Sequence, residues 1–240
     1  NGQTVQSYGG GVCQVSTTLY NAVLKAELEV TQRSNHSMIV TYVKPSMDAA
    51  IAGDYKDLKF VNNLDAPIYI EGYTVGKDIY FNIYGQETRP SNRKVTYESE
   101  VVSEEDPGTQ FVATGDAVGS ISTTQGKHMG YVARLWKIVT VDGVEQSRDA
   151  INKSTYKSSP KIVNVGTASA DPNATAAVNA ALATGDEATI YATVAQYSGA
   201  GQTPAETPAE TPADGSAEAA AILGTVDESQ ITENTTTEGQ

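Results

Sequence analysis

This chain of 240 residues contains one cysteine, one tryptophan, two histidines and three phenylalanines. A single cysteine forms no internal disulfide, so no cross-linked framework holds the fold. One cysteine and two histidines also fall short of the three or four ligands that a zinc site gathers, and no metal or other cofactor is expected. No run of 18 apolar residues appears, so no transmembrane helix is read. No signal peptide precedes Asn1, yet the chain begins without methionine and enters a motif almost at once. We therefore expect a fragment or processed product, whose compartment the absent signals do not decide. Basic residues are scarce too: 16 Lys and Arg stand against 29 Asp and Glu, for a net charge of −13. Phosphate binding needs a basic face, so no nucleic-acid partner is expected.

The charge is unevenly spread. From residue 168 onward, 73 residues hold 11 acidic and no basic side chains, whereas the first 167 carry 16 basic against 18 acidic. Residues 174–183 and 188–197 are Ala-rich stretches able to form short helices, but 203–214 repeat Pro-Ala-Glu-Thr, a solvated linker composition. We expect 168–240 to be an acidic low-complexity tail that ends in disorder.

Upstream, residues 14–28 (QVSTTLYNAVLKAEL) carry Val15, Leu19, Ala22, Val23 and Ala26 at helical spacing, which predicts an amphipathic helix with those residues inward. Tandem glycines before it suit a tight, backbone-close entry. Residues 37–43 and 57–61 read as strands, and 67–73 with 78–85 as a hairpin joined by residues 74–77. The first module, residues 1–88, is thus α+β, with one prominent helix and antiparallel strands. Residues 89–93 read as a linker. The second module, 94–167, is a small all-β unit with strand-like runs at 94–97, 131–141 and 161–165 and a turn at Asp142-Gly143.

Few residues are available for chemistry. Cys13 follows Gly9-Gly10-Gly11-Val12 and stands at the start of the expected helix, while His36 lies 23 residues later. A helix N-terminus offers a thiolate unpaired backbone N–H groups and the positive end of the helix dipole. An adjacent imidazole accepts the thiol proton, and backbone N–H groups of the Gly11-Val12-Cys13 turn serve as an oxyanion hole. A helix of about 15 residues spans about 22 Å. The seven residues of 29–35 must therefore run back nearly extended for His36 to meet Cys13. Asp48 is the nearest acid to orient His36, and Arg33 is a candidate for holding a substrate carboxylate. A lone cysteine at a helix start is more often a small buried residue, and His36 is also read as an ordinary loop-to-strand junction. His128 reads as a surface-loop residue. The hairpin tyrosines Tyr69, Tyr73, Tyr80 and Tyr84 read as half-buried strand residues or as a sugar-stacking face.

The run GGGVCQVSTTLYNAVLKAEL, followed by Arg33-Ser34-Asn35-His36-Ser37, Tyr42-Val43-Lys44-Pro45, Asp48-Ala49 and DLKFVNN at 57–63, resembles the VanW domain of Gram-positive surface proteins over about residues 1–86. The family domain usually has further strands before the cysteine motif, and Ser46-Met47 stands where a Gly-containing turn is common. The following segment, ending Ser159-Pro160-Lys161-Ile162-Val163-Asn164-Val165-Gly166-Thr167, resembles a G-five (G5) module. The resemblance implies a peptidoglycan L,D-transpeptidase, which forms 3-3 cross-links through a thioester. It makes Cys13 the nucleophile, His36 the base and Asp48 its partner, with Gly10, Gly11, Arg33 and Ser37 toward substrate. The implied partners are peptidoglycan stem peptides and glycan. The implied place is extracellular, at the wall of a Gram-positive bacterium, with membrane anchoring through a segment not in this sequence. The alternatives are a non-catalytic wall-binding or adhesion protein, and an NlpC-type cysteine peptidase cutting stem peptides.

Overall fold

The computed structural model describes residues 10–198. The disorder expected toward residue 240, the Pro-Ala-Glu-Thr repeat and Gly9 lie outside the described residues.

Helix α1 (Val12–Lys25) starts two residues before the sequence reading, with Gly11 as its N-cap. It ends in a Schellman arrangement: Glu27 takes a φ of 56°, its N–H donates to Leu24 O (2.9 Å), and the Leu28 N–H donates to Val23 O (3.1 Å). The inward face differs from the expected stripe. Ser16, Thr17, Tyr20, Val23 and Leu24 are buried, while Val15 is 40% exposed. The reason is what α1 packs on. Residues 46–50 are irregular backbone, and Ser46, Asp48, Ala49 and Ala50 are all buried. Such a segment needs polar partners that no strand ladder supplies. Ser16 Oγ donates to Ala49 O (2.5 Å), the Ala49 N–H donates to Thr17 Oγ1 (3.0 Å), and Asn21 Nδ2 donates to Met47 O (2.9 Å).

After α1 the chain doubles back as β1 (Glu29–Gln32), which pairs antiparallel with β2 (Lys59–Val61). The strand expected over 37–43 does not form. The backbone there bonds elsewhere: the His36 N–H donates to Asp48 Oδ2 (2.7 Å), and Ser37 O accepts from the Lys157 N–H (2.8 Å). Tertiary partners thus override local β propensity. Strands β3 (Tyr69–Val75) and β4 (Asp78–Tyr84) form the hairpin, closed by the two-residue turn Gly76-Lys77, with Gly76 at a φ of 62°.

The second module contains two sheets. Strands β5 (Arg93–Glu105), β8 (Gly130–Val141) and β9 (Val144–Tyr156) form an antiparallel sheet in the order β5-β8-β9. Asp142 and Gly143, at φ values of 52° and 78°, turn β8 into β9. In the other sheet, β10 (Lys161–Ala168) lies between β6 (Thr109–Ala117), to which it is parallel, and β7 (Ile121–Gln125), to which it is antiparallel. The Ala-rich stretches do form helices, α2 (Pro172–Thr184) and α3 (Glu187–Tyr197), capped by Asp171 and Asp186. They are not a detached tail: Val178, Ala181, Ile190 and Val194 share a core with Val163 and Val165 of β10. The folded second unit therefore extends past residue 167, because a sheet face of valines needs an apolar cover.

The two modules share a second core. Tyr20, Leu24 and Ala49 pack with Leu135 of β8, flanked by Val30, Met47, Leu58 and Tyr97. The Tyr97 hydroxyl donates to Leu24 O (2.5 Å) at the end of α1. The expected linker is also fastened. Arg93 holds the Glu27 carboxylate with two guanidinium nitrogens, the second at 2.9 Å, and Lys137 (2.6 Å) and Arg89 (3.2 Å) join it. Glu27 thus occupies a left-handed position usually given to glycine, and its carboxylate joins α1 to the linker and to β8.

Candidate active site

Cys13 stands on the first turn of α1, half-buried, with its Sγ donating to Ile51 O (3.6 Å). The first N–H groups of a helix lack intrahelical acceptors, and the N-cap Gly11 has no side chain to cap them. Gly11 is in the right-handed region, and a Cβ at Gly10 or Gly11 would meet open space. The close backbone approach expected of these glycines is therefore not within the described protein. Both are exposed, on the surface beside Cys13.

His36 is held at the other side of the same buried segment. Its Nδ1 lies 2.6 Å from Asp48 Oδ2, the oxygen that also accepts its backbone N–H. With a proton on Nδ1 shared with the carboxylate, Nε2 is the nitrogen free to take or give a proton. The Tyr42 hydroxyl lies 3.3 Å from that Nε2. Residues 48–51 thus connect the two groups: Asp48 fixes His36, Ala49 binds Ser16 and Thr17, the Ala50 N–H donates to Ser34 O (2.8 Å), and Ile51 O receives Cys13.

Asp48 is fully buried. Its Oδ1 accepts from Arg33 Nη2 (2.7 Å) and from the Tyr156 hydroxyl (2.5 Å). Burial pushes its carboxyl upward, but the His36 hydrogen bond, the Arg33 charge and the Tyr156 hydroxyl outweigh it and hold Asp48 below the usual range. Arg33 faces inward and its side chain is 7% exposed. Nε donates to Asp48 O (2.6 Å), Nη1 to Ser154 Oγ (2.8 Å) and Nη2 to Asp48 Oδ1. The carboxylate it holds is therefore Asp48 rather than a substrate's. Ser37 is exposed; its Oγ accepts from Lys56 Nζ (3.1 Å), which also donates to Asn35 O (2.7 Å). Burial lowers the Lys56 ammonium, and negative charge at Asp48 and Cys13 opposes that fall.

Residues 1–84 match the family model described as VanW like protein, and residues 87–168 match the G5 domain. The chain thus resembles a VanW-like segment followed by a G5 domain. Segments of both kinds are typical of secreted, cell-wall-associated proteins. The uncharacterized protein YoaR of Bacillus subtilis (strain 168) is 37% identical over 86 residues, 36% of this chain and 28% of YoaR. The chain therefore spans little more than a quarter of that relative. Among solved structures, the IgA1 protease G5 domain is 26% identical and matches 32% of this chain and 94% of its own, with a TM-score of 0.24. The HP0197 G5 structure is 20% identical and matches 30% of this chain and 99% of its own, with a TM-score of 0.17.

Within the VanW-like segment, Cys13 bonds to Ile51 and His36 to Asp48, so both groups rest on residues 48–51, while Ser37 meets Lys56 and Gly10 and Gly11 lie at the helix start. Sequence reasoning missed Tyr42, Lys56, Ser154 and Tyr156. Tyr42 and Lys56 lie close to His36 in sequence, but nothing in their spacing marks them. Ser154 and Tyr156 come from the G5 domain, and Tyr156 binds Asp48 across a separation of 108 residues that no local pattern reveals. Two surface clefts, of about 360 and 780 Å³, are lined by residues such as Glu27, Tyr97 and Asn152 in one and Phe81, Tyr84 and Arg89 in the other. Neither is lined by Cys13 or His36.

Proposed function

We propose that this chain is a cysteine acyltransferase of the bacterial cell wall, an L,D-transpeptidase that joins peptidoglycan stem peptides through 3-3 cross-links. A cell-wall role follows from the VanW-like segment and the G5 domain together. The observation that carries the finer reading is a pair of chemical groups bonded to one segment, residues 48–51: a lone thiol at a helix start, and an imidazole whose Nδ1 is held by a buried carboxylate at 2.6 Å.

In this mechanism His36 Nε2 takes the Cys13 proton, and the thiolate attacks the carbonyl of the L-centre of diaminopimelate in a donor tetrapeptide. The first N–H groups of α1 receive the developing oxyanion. Collapse of the tetrahedral intermediate breaks the peptide bond, His36 gives its proton to the departing D-alanine amine, and a thioester remains. A side-chain amine of a second stem peptide then attacks the thioester. It loses a proton through His36, forms the new amide and returns the thiol. Asp48 keeps His36 in one orientation, and Gly10, Gly11 and Ser37 face the bound peptide. The G5 domain holds the enzyme on wall polymer outside a Gram-positive cell.

The test is incubation of the protein with disaccharide tetrapeptides and mass spectrometry of the products. Cross-linked dimers with release of D-alanine, absent with Cys13→Ala, are the expected result. Cleaved monomers without dimers overturn transpeptidation in favour of a peptidase. Unchanged substrate overturns catalysis and leaves a wall-binding protein. One feature supports that last reading. The hairpin carries the facing pairs Tyr69–Tyr84 and Tyr73–Tyr80, 39–66% exposed, with Glu71 and Asn82 between them, a surface suited to stacking on sugar rings.

A further inference from the structure

We propose that strand β9 of the G5 domain completes the acyl-transfer site, with Tyr156 as a positioning residue that fixes Asp48 and, through it, His36. This rests on the function proposed above, but its decisive measurement does not.

Side chains two apart on a strand share a face. On β9 the successive inward residues Asn152, Ser154 and Tyr156 all reach into the VanW-like segment. Asn152 Nδ2 donates to Ser46 O (3.1 Å) and to the Tyr20 hydroxyl (2.7 Å). Ser154 Oγ meets Ser46 Oγ (2.8 Å) and accepts from Arg33. The Tyr156 hydroxyl accepts from the Ser46 N–H (2.7 Å), so its single proton goes to Asp48 Oδ1. Burial, with the nearby Asp48 charge, pushes the Tyr156 phenol up to about 12, and it remains a donor across the working pH range.

Asp48 is consequently held by four donors, two on each oxygen. Arg33 and Tyr156 bind Oδ1, and the backbone and ring of His36 bind Oδ2. Rotation of the carboxylate about its axis breaks all four together. Two of these constraints depend on β9, Tyr156 directly and Arg33 through Ser154. Ser46 is the pivot: at a φ of 67° it turns its N–H and Oγ toward β9, and this non-glycine conformation is retained because Tyr156 and Ser154 bind both groups. The G5 domain is then part of the catalytic unit as well as a tether.

The test uses the full 240-residue chain, labelled with ¹⁵N-histidine. Because only His36 and His128 are present, the imidazole spectrum contains two rings. In the wild type the His36 Nδ1 proton is expected as a far-downfield, slowly exchanging signal. Tyr156→Phe moves it upfield or broadens it away. Tyr97→Phe, which removes another cross-module hydroxyl bond without touching Asp48, leaves it in place, and so does Cys13→Ala. Where acyl transfer is measurable, Tyr156→Phe lowers kcat by about tenfold to a hundredfold, the scale of a misplaced catalytic group, with KM little changed. Should Tyr156→Phe fail to fold, Ser154→Ala, which removes the second anchor of Arg33, is expected to shift the same proton signal. An unmoved His36 signal in the folded variant, or an equal shift in Tyr97→Phe, overturns the proposal. A protein that makes no cross-links but shows the Tyr156-dependent signal sinks the transpeptidase reading and leaves the positioning intact.

Discussion

Glu27→Gln removes one charge from the junction between α1, the linker and β8 while keeping the shape of the side chain. The left-handed backbone at residue 27, with its φ of 56°, is as unfavourable for glutamine as for glutamate, so backbone strain does not confound the comparison. In the wild type the Arg93 hydrogen bonds hold the Glu27 carboxyl down, against burial and with help from Lys137 and Arg89, from an ordinary 4.5 to about 2. At about 1.4 kcal/mol per pH unit this corresponds to roughly 3 kcal/mol. The side chain is 12% exposed and its three cationic partners more so, and solvent screening reduces the figure to about 1–2 kcal/mol. For a folded unit of this size the variant should melt roughly 2–8 °C lower at pH 7. The sign of the pH dependence follows from the depressed value. The stabilisation is fully present above about pH 4.5 and disappears as pH falls toward 2, so the wild-type and variant melting curves converge over that window. Calorimetry or circular dichroism at pH 7, 4.5, 3 and 2 measures it. Equal melting temperatures at pH 7, or a gap that stays constant down to pH 2, would refute the reasoning.

Other perturbations probe the rest of the structure. Asp48→Asn leaves Arg33 buried without its anion and should cost about 3–5 kcal/mol in urea unfolding, besides abolishing any activity that depends on His36. Gly166→Ala would drive a Cβ into the Ala117 and Asp116 carbonyls across the parallel β10–β6 pair. Because backbone cannot yield as a side chain does, the expected loss is about 1–3 kcal/mol, read as a fall in the denaturation midpoint. Leu135→Ala empties a fully buried site in the shared core and should cost about 2–5 kcal/mol. Since that core joins both modules, fluorescence of the single tryptophan, Trp136, and alkylation of the single cysteine, Cys13, should report one coincident transition. Two separated transitions would contradict a shared core.

The parts legible in the sequence were those fixed by local rules. The α1 helix, the β3–β4 hairpin and the Asp142-Gly143 turn all follow from short-range spacing and turn chemistry. The inward face of α1 was misread because hydrophobic periodicity assumes an apolar neighbour. Here the neighbour is buried irregular backbone, which selects Ser16 and Thr17 over Val15. The strand expected over 37–43 failed for a related reason: His36 and Ser37 bond to a carboxylate and to the residue after β9, neither of which local pattern can foresee. At the site, the proximity of Asp48 to His36 was legible because the two are 12 residues apart. Arg33 was assigned to substrate because a sequence does not show which carboxylate an arginine will find.

The position of Cys13 depends on more than its own helix. The first turn of α1 is bonded to residues 49–51, and the far end is fastened through Glu27 to Arg93 and Lys137 of the G5 domain and through Leu24 O to Tyr97. Residues 46–48, which lead into that first contact, are in turn held by Asn152, Ser154, Tyr156 and Arg33. Both ends of α1 are therefore referred to the same three-stranded sheet, β5-β8-β9. A rigid-body shift of the G5 domain would displace the thiol end of α1 and the His36 support together. Any change that loosens the G5 domain thus reaches the site at Cys13 and at His36 alike, although the VanW-like segment carries both residues.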